Sequence, residues 1–311
     1  MNYSKGTIEF HIEGSTAVSL GKFDGLHKGH QLLIRRILEK KKEGLSAVIF
    51  TFDFGRSQEL MSGEERRSML EQWGVDYLLE CPFVPEVSHM EPEDFVRRVL
   101  IEQLHAKYLA VGTDFRFGYQ RRGDYKLLQD MALECGFIVD VVEKAKWNQR
   151  DISSTFIREM LGEGNMPLVR ELLGYPYSIT GTVVHGRAMG RGLGMPTINL
   201  LPDERKLLPP NGVYAVKCLV DGKCYRGITN IGFKPTVGGE TVRGVETYLL
   251  DVDENLYEKE VTLYFYAFER PEQKFGSLEE LKEQMQMDVA WVRNWFENAG
   301  EDLQDDVTGA K

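Results

Sequence analysis

Cysteine is scarce in this 311-residue chain, long apolar runs are missing, and positive charge is in deficit. Four cysteines, Cys81, Cys135, Cys218 and Cys224, occur, and none stands in a C-x-x-C pair. Cys218 and Cys224 flank a hairpin turn expected at Asp221-Gly222, which would pair Leu219 with Cys224 and Cys218 with Tyr225. The two sulfurs would then point to opposite faces of the ribbon, a poor geometry for a disulfide. Reduced structural thiols in a cytoplasmic protein are the expectation. No apolar run approaches the ~20 residues that a bilayer span needs, so no membrane partner is expected. The opening MNYSKGTIEFHIEGS has no apolar h-region, and no signal peptide is expected. Lys and Arg number 38 against 48 Asp and Glu, a formal charge of −10. That balance argues against a nucleic-acid binder, which needs a basic face. Any phosphate-bearing ligand must be gripped by local cationic and backbone groups against an unfavourable global field.

What is present divides into two patterns. Up to about residue 142 strand-like and helix-like segments alternate, which implies crossover connections and a mainly parallel sheet. Ser15–Leu20 is a short β-prone run followed by a Gly-rich turn and the segment HQLLIRRILEKKKEG. There Leu33 with Ile37 and Ile34 with Leu38 form an apolar stripe at helical spacing. Lys40, Lys41 and Lys42 suit a helix C-terminus, and Gly44 stops it. A second helix should open at Ser62, with Glu65 completing a capping box. After Gly174-Tyr175-Pro176 short β-rich segments follow one another, the pattern of an antiparallel barrel or sandwich. An amphipathic helix capped by Ser277 and Glu280 closes the chain, with Leu281, Met285, Val292 and Trp295 as its packing face. The expected architecture is therefore α/β: a Rossmann-like domain over residues 1–174 and a small antiparallel β-barrel with a terminal helix over 175–311.

The turn GKFDGLHKGH, Gly21 to His30, carries the strongest chemistry. Gly21, Gly25 and Gly29 let backbone approach an anion, and His27 and His30 stand three apart where a helix begins. Helix N-termini offer unpaired N–H groups and a positive dipole end, which suits the phosphates of ATP. Nucleotidyl transfer needs alignment and donors where charge builds on the leaving pyrophosphate, and little covalent help. A second element, ISSTFIREML from Ile152 to Leu161, opens with Ser153 and Ser154 and carries Arg158 one turn in. It reads equally as a plain N-cap with a solvated arginine or as a second anion clamp.

In the C-terminal half GTVVHGRAMGRGLGMPTINL places Gly186, Gly190 and Gly194 before Pro196, Thr197 and Asn199. Flexible backbone followed by a hydroxyl and an amide suits phosphates and a hard cation, although a glycine cluster can also be only a β-turn region. No G-K-[ST] follows, so this is not a Walker A loop. Glu246 is an acidic residue early in a β-run. Most such residues only face solvent.

Together GKFDGLHKGH, VGTDFRFGYQRRGD and ISSTFIREML resemble, in order and spacing, the adenylyltransferase module of bacterial bifunctional riboflavin kinase/FAD synthetases. The segments from Gly181 onward look like the riboflavin kinase domain of the same family, with its G-x-P-T-x-N signature. The resemblance spans about Thr16 to Trp295. It implies a transferase that phosphorylates riboflavin to FMN and adenylylates FMN to FAD, with Mg²⁺ and ATP at each step. It further implies that His27 and His30 stabilise the triphosphate within a loop including Phe23 and Asp24, while Ser154 and Arg158 clamp the departing phosphates. Asp114, Phe115 and Phe117 would lie by the flavin or adenine, although core packing also explains a Phe. Thr197 and Asn199 would hold Mg²⁺, Glu246 would be the general base, and Asn211, Gly212 and Tyr214 would border flavin or nucleotide. One departure is clear: where the family has T-F-x-P-H-P, the chain reads TFDFGRSQEL. Tyr248 also replaces a histidine after the glutamate, and Tyr175 an arginine in the L-G-R-P-Y hinge. A chain with only the kinase half active, and a non-catalytic flavin or nucleotide sensor, are the alternatives. A monomer or weak homo-oligomer is expected, with riboflavin, FMN and ATP as its ligands.

Overall fold

The computed structural model describes residues 1–300 except 54, 56–57, 187–193, 236–240 and 253. Gly190 and most of the FGRS stretch therefore lie outside the described residues. Residues 1–59 and 63–154 pack as one compact unit, and residues 60–62 with those from 155 onward as another.

The first unit is built on six strands, β1 (Asn2–Lys5), β2 (Thr16–Leu20), β3 (Ser46–Asp53), β4 (Tyr77–Pro82), β5 (Ala106–Gly112) and β6 (Ile138–Val142). Their order across the sheet is β1-β4-β3-β2-β5-β6, and every pairing is parallel. The expected parallel sheet is thus present. Edge strand β1 has no counterpart in the sequence reading, because NYSK shows no apolar pattern and is mostly exposed. Every residue of β2 is buried, as a central strand covered on both faces must be. The two polar ones bond locally: Thr16 Oγ1 donates to Leu104 O at 2.7 Å and Ser19 Oγ to Ala110 O at 2.8 Å. From β2 the chain runs through β3 to β4 on one side, then returns to lay β5 on the other. The topological switch point therefore falls at the C-terminal end of β2, where ligands bind in such sheets. Gly21 stands there.

Helix α1 (Lys28–Glu39) packs on β2, β3 and β5 through buried Ile34 and Ile37. It tightens into a 3-10 turn at Lys40–Glu43 and ends on Gly44, whose φ of 83° is the left-handed cap conformation. Helix α2 (Gly63–Gln72) begins directly after Ser62. Beyond it, Pro92–Asp94 opens a helical segment that continues as a π-helix over Phe95–Gln103, and α3 (Tyr125–Cys135) precedes β6. Among the described residues of this unit Arg66 and Glu80 form a buried ionic contact: Arg66 Nη2 donates to Glu80 Oε1 at 2.5 Å, with Tyr3 donating to the other oxygen at 2.9 Å.

Helix α4 (Ser154–Gly162) starts in the first unit and passes into the second, where α5 (Met166–Leu173) follows. The second unit is a closed antiparallel barrel of β7 (Tyr177–Val184), β8 (Thr197–Pro202), β9 (Gly212–Val220), β10 (Lys223–Pro235), β11 (Thr241–Leu249) and β12 (Glu260–Arg270), in the order β7-β8-β11-β10-β9-β12. The hairpin at Asp221-Gly222 has the expected register, Leu219 opposite Cys224 and Cys218 opposite Tyr225, and all four cysteines are free thiols. Helix α6 (Leu278–Ala299) covers β9 and β10. Ser277 caps it by accepting from Glu280 N–H at 3.1 Å, while the Glu280 carboxylate reaches Gly276 N–H at 2.8 Å. Two of the four expected packing residues hold, Val292 and Trp295, the latter against Tyr266 and Phe296, and two do not. Val292 and Phe296 are the buried apolar residues, Asp288 is buried beside them, and Leu281 and Met285 line a cavity instead. Asp288 is tolerated because Arg270 donates to both its oxygens, at 3.0 and 2.6 Å.

Two candidate active sites

At the end of β2 the backbone folds tightly. Phe23, Gly25 and Leu26 take φ values of 48°, 81° and 34°. Gly25 relieves the middle of that run, which L side chains resist. His27 then caps α1, its Nδ1 accepting from His30 N–H at 3.4 Å. That bond leaves the proton of neutral His27 on Nε2. The His27 and His30 rings stack with centroids 3.7 Å apart and planes 18° from parallel, and Phe23 lies 5.0 Å from His30. Gly29 leaves room for the His27 ring: a Cβ there would stand 3.1 Å from it, close enough that the ring would have to shift by a few tenths of an ångström. Burial pushes the His27 pKa down to about 4 and holds His30 well below its ordinary value, the neighbouring imidazole adding to the latter. Both rings are therefore neutral N–H donors, and positive potential comes from the end of α1. His30 Nδ1 is enclosed and has no hydrogen-bond partner among the described residues.

The ISST segment reaches the same turn, with Ser154 Oγ donating to the buried Asp24 carbonyl at 2.9 Å. Ser153 precedes it, and Arg158 stands half-buried one turn along α4. Asp114 is exposed and paired with Lys144 at 2.8 Å. Phe117 is a core residue, 4% exposed, and Phe115 stacks on it at 5.5 Å. The aromatic row continues through Phe95 to Phe52 and Phe83, the last 48% exposed at the end of β4. Phe52 and Phe83 were not singled out from the sequence, where each reads as an ordinary strand residue.

In the barrel β8 lies against β11 so that Asn199 faces Glu246 across the ladder and Thr197 faces Tyr248. Thr197 Oγ1 donates to Glu246 Oε1 at 2.5 Å. Gly186 lets the Asn199 amide close in, since a Cβ there would fall 2.1 Å from Nδ2. Thr197 stands between two cavities. One, of about 280 Å³, is mostly apolar and includes Val213, Asn230, Glu246, Tyr248 and Met285 in its wall. The other, of about 480 Å³, is lined by Pro196, Thr197, Asn255 and Tyr257 among others. Gly194, with φ 79°, leads into this strand. Of the Gly212–Tyr214 segment it is Val213 whose side chain lines the first cavity. Tyr214 is fully buried and donates to Pro210 O at 2.6 Å. Gly212, at φ 152°, is packed so closely that a Cβ would fall 2.4 Å from Arg270 O. Asn211 donates to Glu272 at 3.0 Å and accepts from Arg243 Nε at 2.9 Å. Thr197 and Asn199 share one face of β8 with Glu246 opposite Asn199, and their side chains offer oxygen donors of the kind hard cations accept. Among the described residues no group of three or more His, Cys, Asp or Glu is placed to hold a metal by itself.

Comparison with known proteins bears on both halves. Residues 10–156 match the FAD synthetase family model, and residues 173–296 match the riboflavin kinase model. The bifunctional riboflavin kinase/FMN adenylyltransferase of Escherichia coli (strain K12) is 37% identical over 291 residues, 90% of this chain and 92% of that protein. The protein of the same description from Pseudomonas fluorescens is 35% identical over 285 residues, 88% and 91% of the two chains. A crystal structure from Streptococcus pneumoniae, described as a macrolide-efflux protein, is 29% identical with a TM-score of 0.84, covering 94% of this chain and 98% of that one. With both family models matched in order and relatives aligned over about nine-tenths of both chains, the chain belongs to the bifunctional riboflavin kinase/FMN adenylyltransferase family.

Proposed function

We propose that this chain phosphorylates riboflavin to FMN in its C-terminal half, residues 175–311, and adenylylates FMN to FAD in its N-terminal half, residues 1–174, using ATP for both. The observation that carries the reading is the Thr197–Glu246 contact between a mostly apolar cavity and a second one. A flavin ring suits the first cavity and the nucleotide the second, so the group to be phosphorylated meets the donor at Glu246. Glu246 takes the proton of the ribityl 5′-hydroxyl as its oxygen bonds to the γ-phosphorus and the bond to ADP breaks. Thr197 fixes the carboxylate for that transfer. Thr197 Oγ1 and Asn199 Oδ1 would hold Mg²⁺, which supplies charge neutralisation to the phosphates when bound.

In the other half an FMN phosphate oxygen bonds to the α-phosphorus of ATP and pyrophosphate leaves. The nucleophile is already ionised, so no base is required. His27 and His30 donate N–H groups to the triphosphate beside the α1 N-terminus, and Ser154 with Arg158 completes the grip on the leaving group. Asp114 and Phe115 border the flavin or adenine, with the buried Phe117 packed behind Phe115. A cytoplasmic monomer or weak homo-oligomer, without nucleic-acid or membrane partners, completes the reading. The efflux description stays with the pneumococcal protein: no helix among the described residues is long and apolar enough to cross a membrane.

The test is direct. Purified protein is incubated with riboflavin, Mg²⁺ and ATP, and flavins are resolved chromatographically. FMN followed by FAD is the expected result. FMN alone would leave only the kinase half, and bound but unchanged riboflavin would make the chain a sensor.

A further inference from the structure

A second carboxylate stands at the mouth of the cavity that holds Glu246, and the fold has gone to some length to place it. Glu272 follows β12 and lines this cavity with Glu246 and Asn230. Its Oε2 accepts from Asn211 Nδ2 at 3.0 Å and its Oε1 from Asn230 Nδ2 at 3.4 Å. Asn211 is itself fixed, since its Oδ1 accepts from Arg243 Nε at 2.9 Å, and that guanidinium also donates to the Leu208 and Pro209 carbonyls. Strand β10 is bare where the carboxylate rests: a Cβ on Gly232 would fall 1.8 Å from Glu272 Oε1. No positive φ is recorded for Gly232, so glycine is needed there for room and not for backbone freedom.

The scaffold points toward the reacting end of the site. Asn230 lies directly opposite Glu246 in the β10–β11 ladder. Facing residues in an antiparallel pair hold their Cβ atoms roughly 4.5–5.5 Å apart. Glu272 is therefore one side chain further from the phosphorylated hydroxyl than Asn230 is. A carboxylate has about four acceptor positions, and the two amides occupy one on each oxygen. Glu272 is exposed, so its remaining acceptor positions are open at the cavity mouth to a ligand that brings O–H donors. Resting on the kinase reading above, we infer that Glu272 accepts a secondary hydroxyl of the ribityl chain and so sets the 5′-hydroxyl against Glu246. Arg243, Asn211 and Asn230 are the positioning residues that hold it.

Three substitutions in the full chain test this: Glu272→Ala, Glu272→Gln and Gly232→Ala, the last introducing a methyl where Oε1 lies. Each is assayed with riboflavin and with its 2′-, 3′- and 4′-deoxy analogues; near-UV circular dichroism and the urea midpoint of each preparation check that the barrel is folded, and FMN adenylylation reads the other half. Glu272→Ala is expected to lower kcat/KM for riboflavin about 10- to 100-fold, the value of a hydrogen bond to a charged group. Adenylylation should be unchanged and Glu272→Gln intermediate. One deoxy analogue, disfavoured by the unaltered protein to a similar degree, should be used equally well by the unaltered protein and the Ala variant. Gly232→Ala should reproduce the Glu272→Ala pattern and add nothing when combined with it. Riboflavin kinetics within about twofold of the unaltered protein, or an equal loss with every analogue, would overturn the inference. Absence of FMN formation by the unaltered protein would instead remove the kinase reading on which it rests.

Discussion

Replacing His27 by Asn removes a titrating ring from the nucleotide turn while keeping a side-chain acceptor at the N-cap, where Asn serves well. Burial lowers the His27 pKa from an ordinary 6.5 to about 4. In the unfolded chain the imidazole takes up its proton near 6.5, so acid favours unfolding through this residue. The stability it preserves is complete above pH 6.5 and is lost as the pH falls toward 4. A displacement of that size corresponds to about 3 kcal/mol. His27 is 5% exposed, so solvent screening takes little of this away. His30 is displaced in the same direction and adds to the slope. The assay is amide hydrogen exchange of the Thr16–Leu20 strand, corrected for intrinsic rates, from pH 7 to 4. The opening free energy of the unaltered protein should fall about 3 kcal/mol further across that window than that of His27→Asn. Superimposable pH profiles would refute the claim that burial holds this ring neutral.

Glu246→Gln should lower FMN formation by about 10²- to 10⁴-fold, the usual contribution of a general base, while FAD still forms from supplied FMN. Near-normal kinase turnover would show that Glu246 is not the base. His30→Ala should do the reverse in the same chromatographic assay, abolishing FAD formation and sparing FMN. Thr197→Val deletes the O–H that orients Glu246 at 2.5 Å with little change in volume, and should lower kinase kcat about tenfold with an unchanged urea midpoint. Arg66→Met strands the buried Glu80 carboxylate and should cost about 3 kcal/mol by urea denaturation, Lys5 at 3.5 Å softening the loss. A cost under about 1 kcal/mol would show that Glu80 finds other compensation.

Much of this protein was legible before its structure because the relevant signals are local. A helix start is written in residues three or four apart, so His27 with His30 and Ser277 with Glu280 could be placed from spacing alone. The Asp221-Gly222 turn specified the register of a whole hairpin for the same reason. Signals that depend on a distant partner were not legible. Strand β1 has no apolar pattern because it is an edge, and it exists because β4 offers it a ladder. Asp288 disguised the buried face of α6, since a carboxylate in an apolar stripe reads as exposed until Arg270 is seen beside it.

The same division runs through the two sites. By itself the sequence determined the glycines, the histidine pair and the T-x-N strand, which are the chemical parts and their family. Only the tertiary structure decided that the histidine rings stack, that His27 is buried and that both are neutral, because desolvation is a property of what packs around a residue. It also decided that Thr197 meets Glu246, and that Asn211 and Asn230 converge on Glu272, contacts made by barrel closure between residues 42 to 61 positions apart. No local pattern encodes such pairs, since each side chain is placed by its own strand and they meet only when the sheet closes.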